Sequence, residues 1–292
     1  MDWQSRRITT ILENALLEDN ATRDTTTLAT IDPGLRATAT ILAKQDCILA
    51  GVGCVARFLE VFASLDRDVV SHSEVTTHPE MFDGVRLRAG QHVAVIRHNA
   101  RVILSCERVI LNMLQRMSGI ATLTRKFVDA IAGTSAYILD TRKTVPGLRP
   151  LDKYAVHCGG GINHRLDLSD GVLIKNNHIA LGGGIPAVLA KALKNRQGKM
   201  PIEIEVRSLH ELDQAIEHGA EAILLDNMTH EMVRTAVEKV HTLGRKLPLE
   251  CSGGINLQNV RAYADTGVDF ISVGALTHSP QAVDLSMRIY TA

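Results

Sequence analysis

Aromatic side chains are scarce, 3% of 292 residues, too few for a base-stacking platform or an aromatic-rich protein interface. An excess of either charge is also missing: 32 Lys and Arg balance 32 Asp and Glu. No bulk positive field therefore draws the chain to nucleic acid or to an acidic membrane, and neither is expected as a partner. Any anion chemistry must come from a local cluster. Cysteines are few, and Cys47, Cys54, Cys106, Cys158 and Cys251 make no CxxC pair and no Cys/His spacing that suits zinc. Odd in number and scattered, they fit a reducing compartment, and a cytoplasmic protein is expected. No apolar run can cross a bilayer; the most apolar stretch, Cys47 to Leu65, is broken by Arg57 and Glu60. The N-terminal segment has acidic residues where a signal peptide would be apolar. The two common nucleotide loops, GxGxxG after a first strand and GxxxxGK[ST], are missing as well.

What remains is 45% hydrophobic and 22% charged, enough to bury the core of one barrel or of two ordinary domains. Ile8, Ile11, Leu12, Ala15 and Leu16 share one face of an amphipathic helix. The first hundred residues then read as mixed α and β, with a threonine-rich stretch at Thr25 to Thr30 and strand-like alternation from Arg36 to Ala43. A helical pattern follows Gly51 to Gly53, and strands are expected around Val85 to Leu87 and Val93 to Ile96. From Ser105 to Ala132 there is no proline and apolar residues recur at helical spacing, predicting one or two long helices with Gly119 at a bend.

Beyond these helices the rhythm changes. Short apolar runs at Tyr137 to Asp140, Gly171 to Lys175, Ile202 to Val206, Ala222 to Asp226, Leu247 to Cys251 and Asp269 to Val273 alternate with helical segments. That alternation predicts a parallel sheet. Polar groups gather at the strand ends: Thr141-Arg142-Lys143, Lys175, Glu205, Asp226, Ser252-Gly253-Gly254 and Gly274-Ala275. An α/β barrel collects residues from many strands at its C-terminal mouth, whereas a doubly wound sheet places its site at one crevice. The fold expected is an α/β barrel.

Arg142, Lys143, Arg165 and Lys175, with His164 and His178, concentrate cations near one mouth. Like charges so placed call for a multiply anionic ligand; the plainer alternative is a solvated basic rim balanced by Asp140, Asp152, Asp167 and Asp170. In Ile202-Glu203-Ile204-Glu205-Val206 both glutamates face one side of a strand, in a barrel the lumen. With Asp226, Glu205 suits a hydrated magnesium ion or ribose hydroxyls, or else an internal ion pair with Lys175 or Lys143. Glycines after the last two strands let backbone N–H groups approach a phosphate. The runs Gly159 to Gly161 and Gly182 to Gly184 read as loops near the mouth, with a lid as one hypothesis.

Long ordered segments resemble a known family: SCERVILNMLQRMSGIAT, LDTRKTVPGLRPLDKYAVHCGGGINHRLDLSDGVLIKNNHI, IEIEV, AILLDNM, ECSGGI and DFISVGALTHS. The family is nicotinate-nucleotide pyrophosphorylase (carboxylating), or quinolinate phosphoribosyltransferase, and the resemblance spans nearly the whole chain. Two small departures are Val145, where the family usually has a second threonine, and Asn176, where an acidic residue is common.

The resemblance implies an N-terminal α/β sandwich domain over residues 1–114 and an irregular (β/α) barrel over 115–292, with the last helix packed back on the N-terminal domain. It implies conversion of quinolinate and phosphoribosyl pyrophosphate to nicotinate mononucleotide, pyrophosphate and CO2, in NAD biosynthesis. A homodimer or higher oligomer follows, one subunit's N-terminal domain covering its partner's barrel mouth and supplying Arg108. Carried over by position, Arg142, His164 and Arg165 bind the quinolinate carboxylates, while Lys143, Lys175 and His178 lie on the pyrophosphate side with Thr141 beside them. Glu205 and Asp226 hold ribose hydroxyls and Mg2+, directly or through water or substrate. Ser252, Gly253, Gly254, Val273, Gly274 and Ala275 take the 5′-phosphate, with His278 close by. Lys143, Lys175, Glu205 and Asp226 are the expected catalytic residues. Rival readings are a pyrophosphorylase-like paralogue of the same fold, a non-catalytic phosphate-binding protein, and a barrel aldolase with Lys143 or Lys175 as Schiff-base nucleophile.

Overall fold

The structure is a computed structural model describing residues 1–66 and 73–291. In chain order its elements begin with α1 (Arg6–Glu18), α2 (Thr25–Thr30), β1 (Arg36–Ala43), β2 (Cys47–Ile48), α3 (Cys54–Leu65), β3 (Glu74–Thr76), β4 (Arg86–Leu87) and β5 (His92–Asn99). Next come α4 (Ala100–Ala130), β6 (Tyr137–Leu139), α5 (Arg149–Cys158), β7 (Val172–Ile174), α6 (Asn176–Gly182), α7 (Ile185–Asn195), β8 (Ile202–Val206) and α8 (Leu209–Glu217). The series closes with β9 (Ala222–Asp226), α9 (His230–His241), β10 (Leu249–Ser252), α10 (Val260–Ala264), β11 (Phe270–Ser272), α11 (Ala275–His278) and β12 (Leu285–Thr291).

The chain divides into two compact units. One comprises Met1–Arg125, Thr144–Gly160 and Ser279–Ala292, the other Lys126–Lys143 and Gly161–His278. The boundary expected after residue 114 therefore falls later, and the first unit takes back two segments assigned to the barrel. Side-chain chemistry accounts for the first return. Asp152 on α5 is fully buried and accepts from Nε and Nη2 of Arg116 on α4, at 2.9 and 2.8 Å, while Tyr154 donates its hydroxyl to Asp83 at 2.7 Å. Residues so far apart in sequence leave no local pattern to read.

In the first unit, Ile8, Leu12 and Leu16 bury one stripe of α1. The threonine-rich stretch becomes helix α2 because the Asp24 side chain accepts the Thr27 N–H at 3.0 Å, satisfying an orphan donor of the first turn. The main sheet runs β12-β1-β5-β3, with β1 antiparallel to both neighbours, and β2 pairs separately with β4. The C-terminal segment expected to be a helix is thus a strand, β12, with Ala37 opposite Thr291 and Ala43 opposite Leu285. Its backbone groups complete an edge that a helix would leave unpaired. The long helix α4 is continuous, so Gly119 marks no break. A Cβ there would lie 2.1 Å from the Gln281 carbonyl oxygen, and glycine is what lets the returning C-terminal segment pass this close.

The second unit contains the expected parallel sheet, in the order β6-β11-β10-β9-β8-β7. All six predicted runs are strands, two of them with the predicted limits. Beyond its pairing with β11, β6 meets an isolated parallel bridge from Leu139 to Ile162, which makes the barrel irregular. Alternation on β8 sends Ile202, Ile204 and Val206 into full burial and leaves Glu203 and Glu205 on the opposite face. Short connections are capped at once: Ser208 accepts the Glu211 N–H before α8, and Thr229 accepts the Met232 N–H before α9. Since all six strands are parallel, their C-terminal ends open on one mouth. The two glycine runs lie where α5 and α6 end, with Gly183 left-handed as a helix cap. Among the described residues no helix is long and apolar enough to cross a membrane.

Candidate active site

The second unit holds a cavity of about 540 Å³ at the C-terminal ends of its strands, and every strand contributes to its wall. Thr141, Arg142 and Lys143 follow β6; Lys175 follows β7; Glu205 and Asp226 come from β8 and β9. Ser252, Gly253 and Gly254 come from the end of β10, Gly274 and Ala275 follow β11, and His278 ends α11. His164 and Arg165 enter from the segment before β7.

That segment is fixed by one carboxylate. Asp140, fully buried just past β6, accepts the His164 backbone N–H at 2.8 Å and the Asn163 side-chain amide at 2.7 Å. Arg165 then donates through Nη1 to the Gly171 carbonyl at 3.2 Å. Its Nε is buried without a hydrogen-bond partner, and so is the Nε of Arg142. Burial, then the neighbouring Arg142 charge, pull the Arg165 guanidinium below its usual range. Two guanidiniums facing one cavity with buried donors unspent make a receptor for a planar, doubly charged anion.

Across the cavity stand two carboxylates. Glu205 accepts from Nδ2 of Asn176 at 2.5 Å, and Asp226 accepts from Nε of Arg207 at 3.1 Å, with Arg207 Nη2 3.8 Å from Glu205. Burial first, then the Asp226 charge, raise the Glu205 carboxyl above its ordinary range, against Lys175 and Arg207. An all-oxygen pair of mutually repelling carboxylates is the donor set that a hard divalent cation relieves. The hydrogen-bond partners of these carboxylates are Asn176, noted in the sequence only as a departure from the family, and Arg207, which the sequence reading did not single out.

In the turn after β10, Gly253 and Gly254 have φ of +100° and +65°, and Asn227 between β9 and α9 is also left-handed at 54°. The Asn227 N–H donates to the Ser252 carbonyl at 2.8 Å. A Cβ on Gly253 would lie 2.2 Å from the Asn227 Oδ1, while one on Gly254 would meet open space. The Lys143 carbonyl accepts from Thr277 at 2.8 Å, which ties the β6 end to α11.

Three expected residues stand elsewhere. Val273 is 1% exposed and its N–H is spent on the Leu139 carbonyl, so the glycine-bearing turn after it, not Val273, borders the cavity. The Nδ1 of His178 accepts the Lys175 backbone N–H at 2.9 Å and so caps α6; His178 borders an adjoining smaller cavity with Arg165 and Leu168. Arg108 is on α4 in the first unit, its side chain 63% exposed and 3.9 Å from Glu107.

His164 and Glu203 meet a third residue that sequence reasoning missed, Glu250. His164 Nδ1 accepts the Arg165 N–H at 2.8 Å, and Nε2 stands 3.3 Å from Glu203 and 3.4 Å from Glu250. Both ring nitrogens are thus engaged inside the protein. Glu250 read only as an interior position of a strand; its partner His164 lies in a distant segment, and no spacing rule connects them. Of the five cysteines, all are free and buried; burial raises Cys47 to about 11 and Cys158 to about 12, leaving them inert as nucleophiles.

Residues 24–118 match the N-terminal domain, and residues 120–288 the C-terminal domain, of a family described as quinolinate phosphoribosyl transferase. The chain is 41% identical to nicotinate-nucleotide pyrophosphorylase [carboxylating] of Mycobacterium leprae (strain TN), covering 91% of each chain. It is 40% identical to a probable nicotinate-nucleotide pyrophosphorylase [carboxylating] of Bacillus subtilis (strain 168), over 96% of this chain and 92% of that one. Among solved structures it is similar to NadC from Streptococcus pyogenes, with a TM-score of 0.91 and 35% identity over 100% of this chain and 99% of that one.

Proposed function

The chain belongs to the quinolinate phosphoribosyl transferase family, and on that premise we propose that the barrel mouth joins quinolinate to phosphoribosyl pyrophosphate. The protein is a decarboxylating phosphoribosyltransferase of NAD biosynthesis, forming nicotinate mononucleotide, pyrophosphate and CO2. Family membership sets aside the aldolase reading and that of a non-catalytic phosphate-binding protein.

The observation that carries the assignment of the mouth is the pair Arg142 and Arg165, each with a buried unpartnered Nε, opposite the carboxylates Glu205 and Asp226. The guanidiniums bind the quinolinate carboxylates, with His164 lining the wall beside them. Glu205 and Asp226 take ribose hydroxyls, and the turns at Ser252 to Gly254 and Gly274 to Ala275 take the 5′-phosphate. Lys143 and Lys175 face the departing pyrophosphate and balance its charge. Glu205 and Asp226 would hold magnesium, directly or through water or substrate, and the ion when bound would supply charge neutralisation for the leaving group.

The pyridine nitrogen attacks the anomeric carbon as pyrophosphate leaves, and positive charge builds on the ribose ring beside Glu205 and Asp226. No protein nucleophile is needed. Holding two anions against each other converts an improbable encounter into an oriented one, an advantage of roughly 7 to 11 kcal/mol for well-placed reactants. Once alkylated, the ring nitrogen is cationic, and the adjacent 2-carboxylate leaves as CO2 with its electron pair held next to that charge.

The same proposal includes a cytoplasmic homodimer in which Arg108 completes the partner's site; its exposed guanidinium on α4 supports this. The test is release of CO2 and pyrophosphate from purified protein with magnesium and phosphoribosyl pyrophosphate, offering quinolinate or nicotinate. Equal release of both products with quinolinate alone is expected. Silence with quinolinate would overturn the assignment of the arginines.

A further inference from the structure

The decarboxylating reading, on which this inference rests, leaves a proton unaccounted for. When the C2–carboxylate bond breaks, CO2 departs and an electron pair stays on C2; the product carries hydrogen there. One proton must enter for each CO2 that leaves. Arg142 and Arg165 do not release protons at neutral pH, and Lys143 and Lys175 face the pyrophosphate. That leaves solvent water and the other groups on the cavity wall.

Glu250 borders the mouth cavity from inside the barrel and is 4% exposed. It also borders a second cavity of about 410 Å³, which reaches Ala222, Pro248 and Phe270 near the N-terminal ends of the strands. His164 borders both cavities too, whereas Glu203 borders only the second. Because the Arg165 N–H donates to Nδ1, the ring carries its proton on Nε2, between Glu203 at 3.3 Å and Glu250 at 3.4 Å. One N–H thus serves two carboxyl groups, and a further proton is needed to join them without repulsion.

His164, Glu203 and Glu250 also place one ligand atom each within 4.8 Å of one another, as a metal site would. Metal on Nε2 requires a hydrogen on Nδ1, and here Nδ1 is the acceptor. The geometry favours a proton over a cation. Burial raises the Glu250 carboxyl, and the Glu203 charge adds to this against the opposing hydrogen bonds of His164 and Ser272.

We propose that Glu250 is the acid that protonates C2 of the pyridine ring after CO2 leaves. The Glu250 O–H bond breaks and the C2–H bond forms, leaving a carboxylate beside His164. A proton from bulk solvent, passed along water in the second cavity, re-forms the Glu250 O–H bond while product still fills the mouth. His164 and Glu203 are positioning residues that aim the carboxyl.

The test is a single turnover of the magnesium-loaded enzyme with quinolinate and phosphoribosyl pyrophosphate, following pyrophosphate, CO2 and the 2-carboxylated mononucleotide. In Glu250→Gln, pyrophosphate release should stay within about threefold of wild type. CO2 release should fall on the order of 100-fold, the usual worth of a placed general acid, because the carbanion recaptures CO2 and the carboxylated mononucleotide accumulates. In equal H2O and D2O, the H:D ratio at C2 of the product should differ between wild type and Glu250→Asp, a readout that a structural role would not move. Should Glu250→Gln not fold, Glu250→Asp carries the same comparison, with slowed CO2 and unchanged pyrophosphate expected. Equal loss of both products, or CO2 keeping pace with pyrophosphate in both variants, would overturn the proposal. Wild type that releases no CO2 at all would instead sink the functional reading beneath it.

Discussion

Asp140 holds His164 by its backbone and leaves the ring to others: Oδ1 accepts the His164 N–H at 2.8 Å while Oδ2 takes the Asn163 amide at 2.7 Å. Two strand-end carboxylate oxygens therefore set where the imidazole and the next residue, Arg165, enter the cavity. Asp140→Asn keeps the shape but turns one acceptor into a donor facing a donor. The expected cost is about 1 to 3 kcal/mol of stability, with a raised KM for quinolinate and little change for phosphoribosyl pyrophosphate. Urea unfolding and steady-state kinetics check both halves.

Arg142→Ala removes a guanidinium whose Nε is buried and unspent. Truncating one partner of a desolvated charge pair costs roughly 2 to 5 kcal/mol. The kcat/KM for quinolinate should fall on the order of 100-fold or more, mostly through KM. A change of only a few fold would remove Arg142 from the carboxylate pocket.

Gly253→Ala forces an L residue into φ of +100° and drives its Cβ toward Asn227 Oδ1, 2.2 Å away. Strain of this kind costs about 1 to 3 kcal/mol. Asn227 also donates to Asp226 at 2.9 Å, so the disturbance reaches the carboxylate proposed to take ribose hydroxyls. We expect weaker phosphoribosyl pyrophosphate binding by on the order of tenfold, measured by calorimetric titration, with quinolinate binding preserved.

The shared-site proposal predicts complementation. Arg108→Ala and Lys175→Ala should each be inactive alone. Random mixing makes half the dimers mixed, each with one intact site of two, so about a quarter of wild-type activity should return. Mixed dimers that form yet stay inactive would show that the site is not shared.

Stability should fall as pH rises. Burial first, then the Glu203 charge, raise the Glu250 carboxyl against the hydrogen bonds of His164 and Ser272. The folded chain thus keeps a proton that the unfolded chain has already released. The stability Glu250 contributes is complete below its unfolded pKa and is lost as pH climbs through the folded one. Urea unfolding from about pH 5 to about pH 9 should show a decline in wild type that Glu250→Gln flattens. Parallel curves would contradict it.

The parallel sheet and its mouth were legible because each strand is a short apolar run ending in a polar residue. Glu205 and Asp226 declared themselves at strand ends, and the alternation of β8 placed Glu203 with Glu205. Long-range pairings were not legible. β12 reads as an unremarkable polar segment until β1 is set beside it, and α5 joins the first unit only because Arg116 meets Asp152 there. Asn176, noted as a departure from the family, turns out to donate to Glu205. Glu250 escaped notice because sequence patterns report a strand's faces, not which side chains meet across a barrel.

The pairing of β1 with β12 sets an order of events in the cell. β1 leaves the ribosome early, but the strand that covers its open edge is among the later parts of the chain. Until then, its unpaired N–H and C=O groups offer a template to any extended segment nearby. The whole barrel unit, Lys126–Lys143 with Gly161–His278, is synthesised in that interval. The nascent sheet stays vulnerable to mispairing throughout, and a chain cut short before Leu285 would keep that adhesive edge permanently.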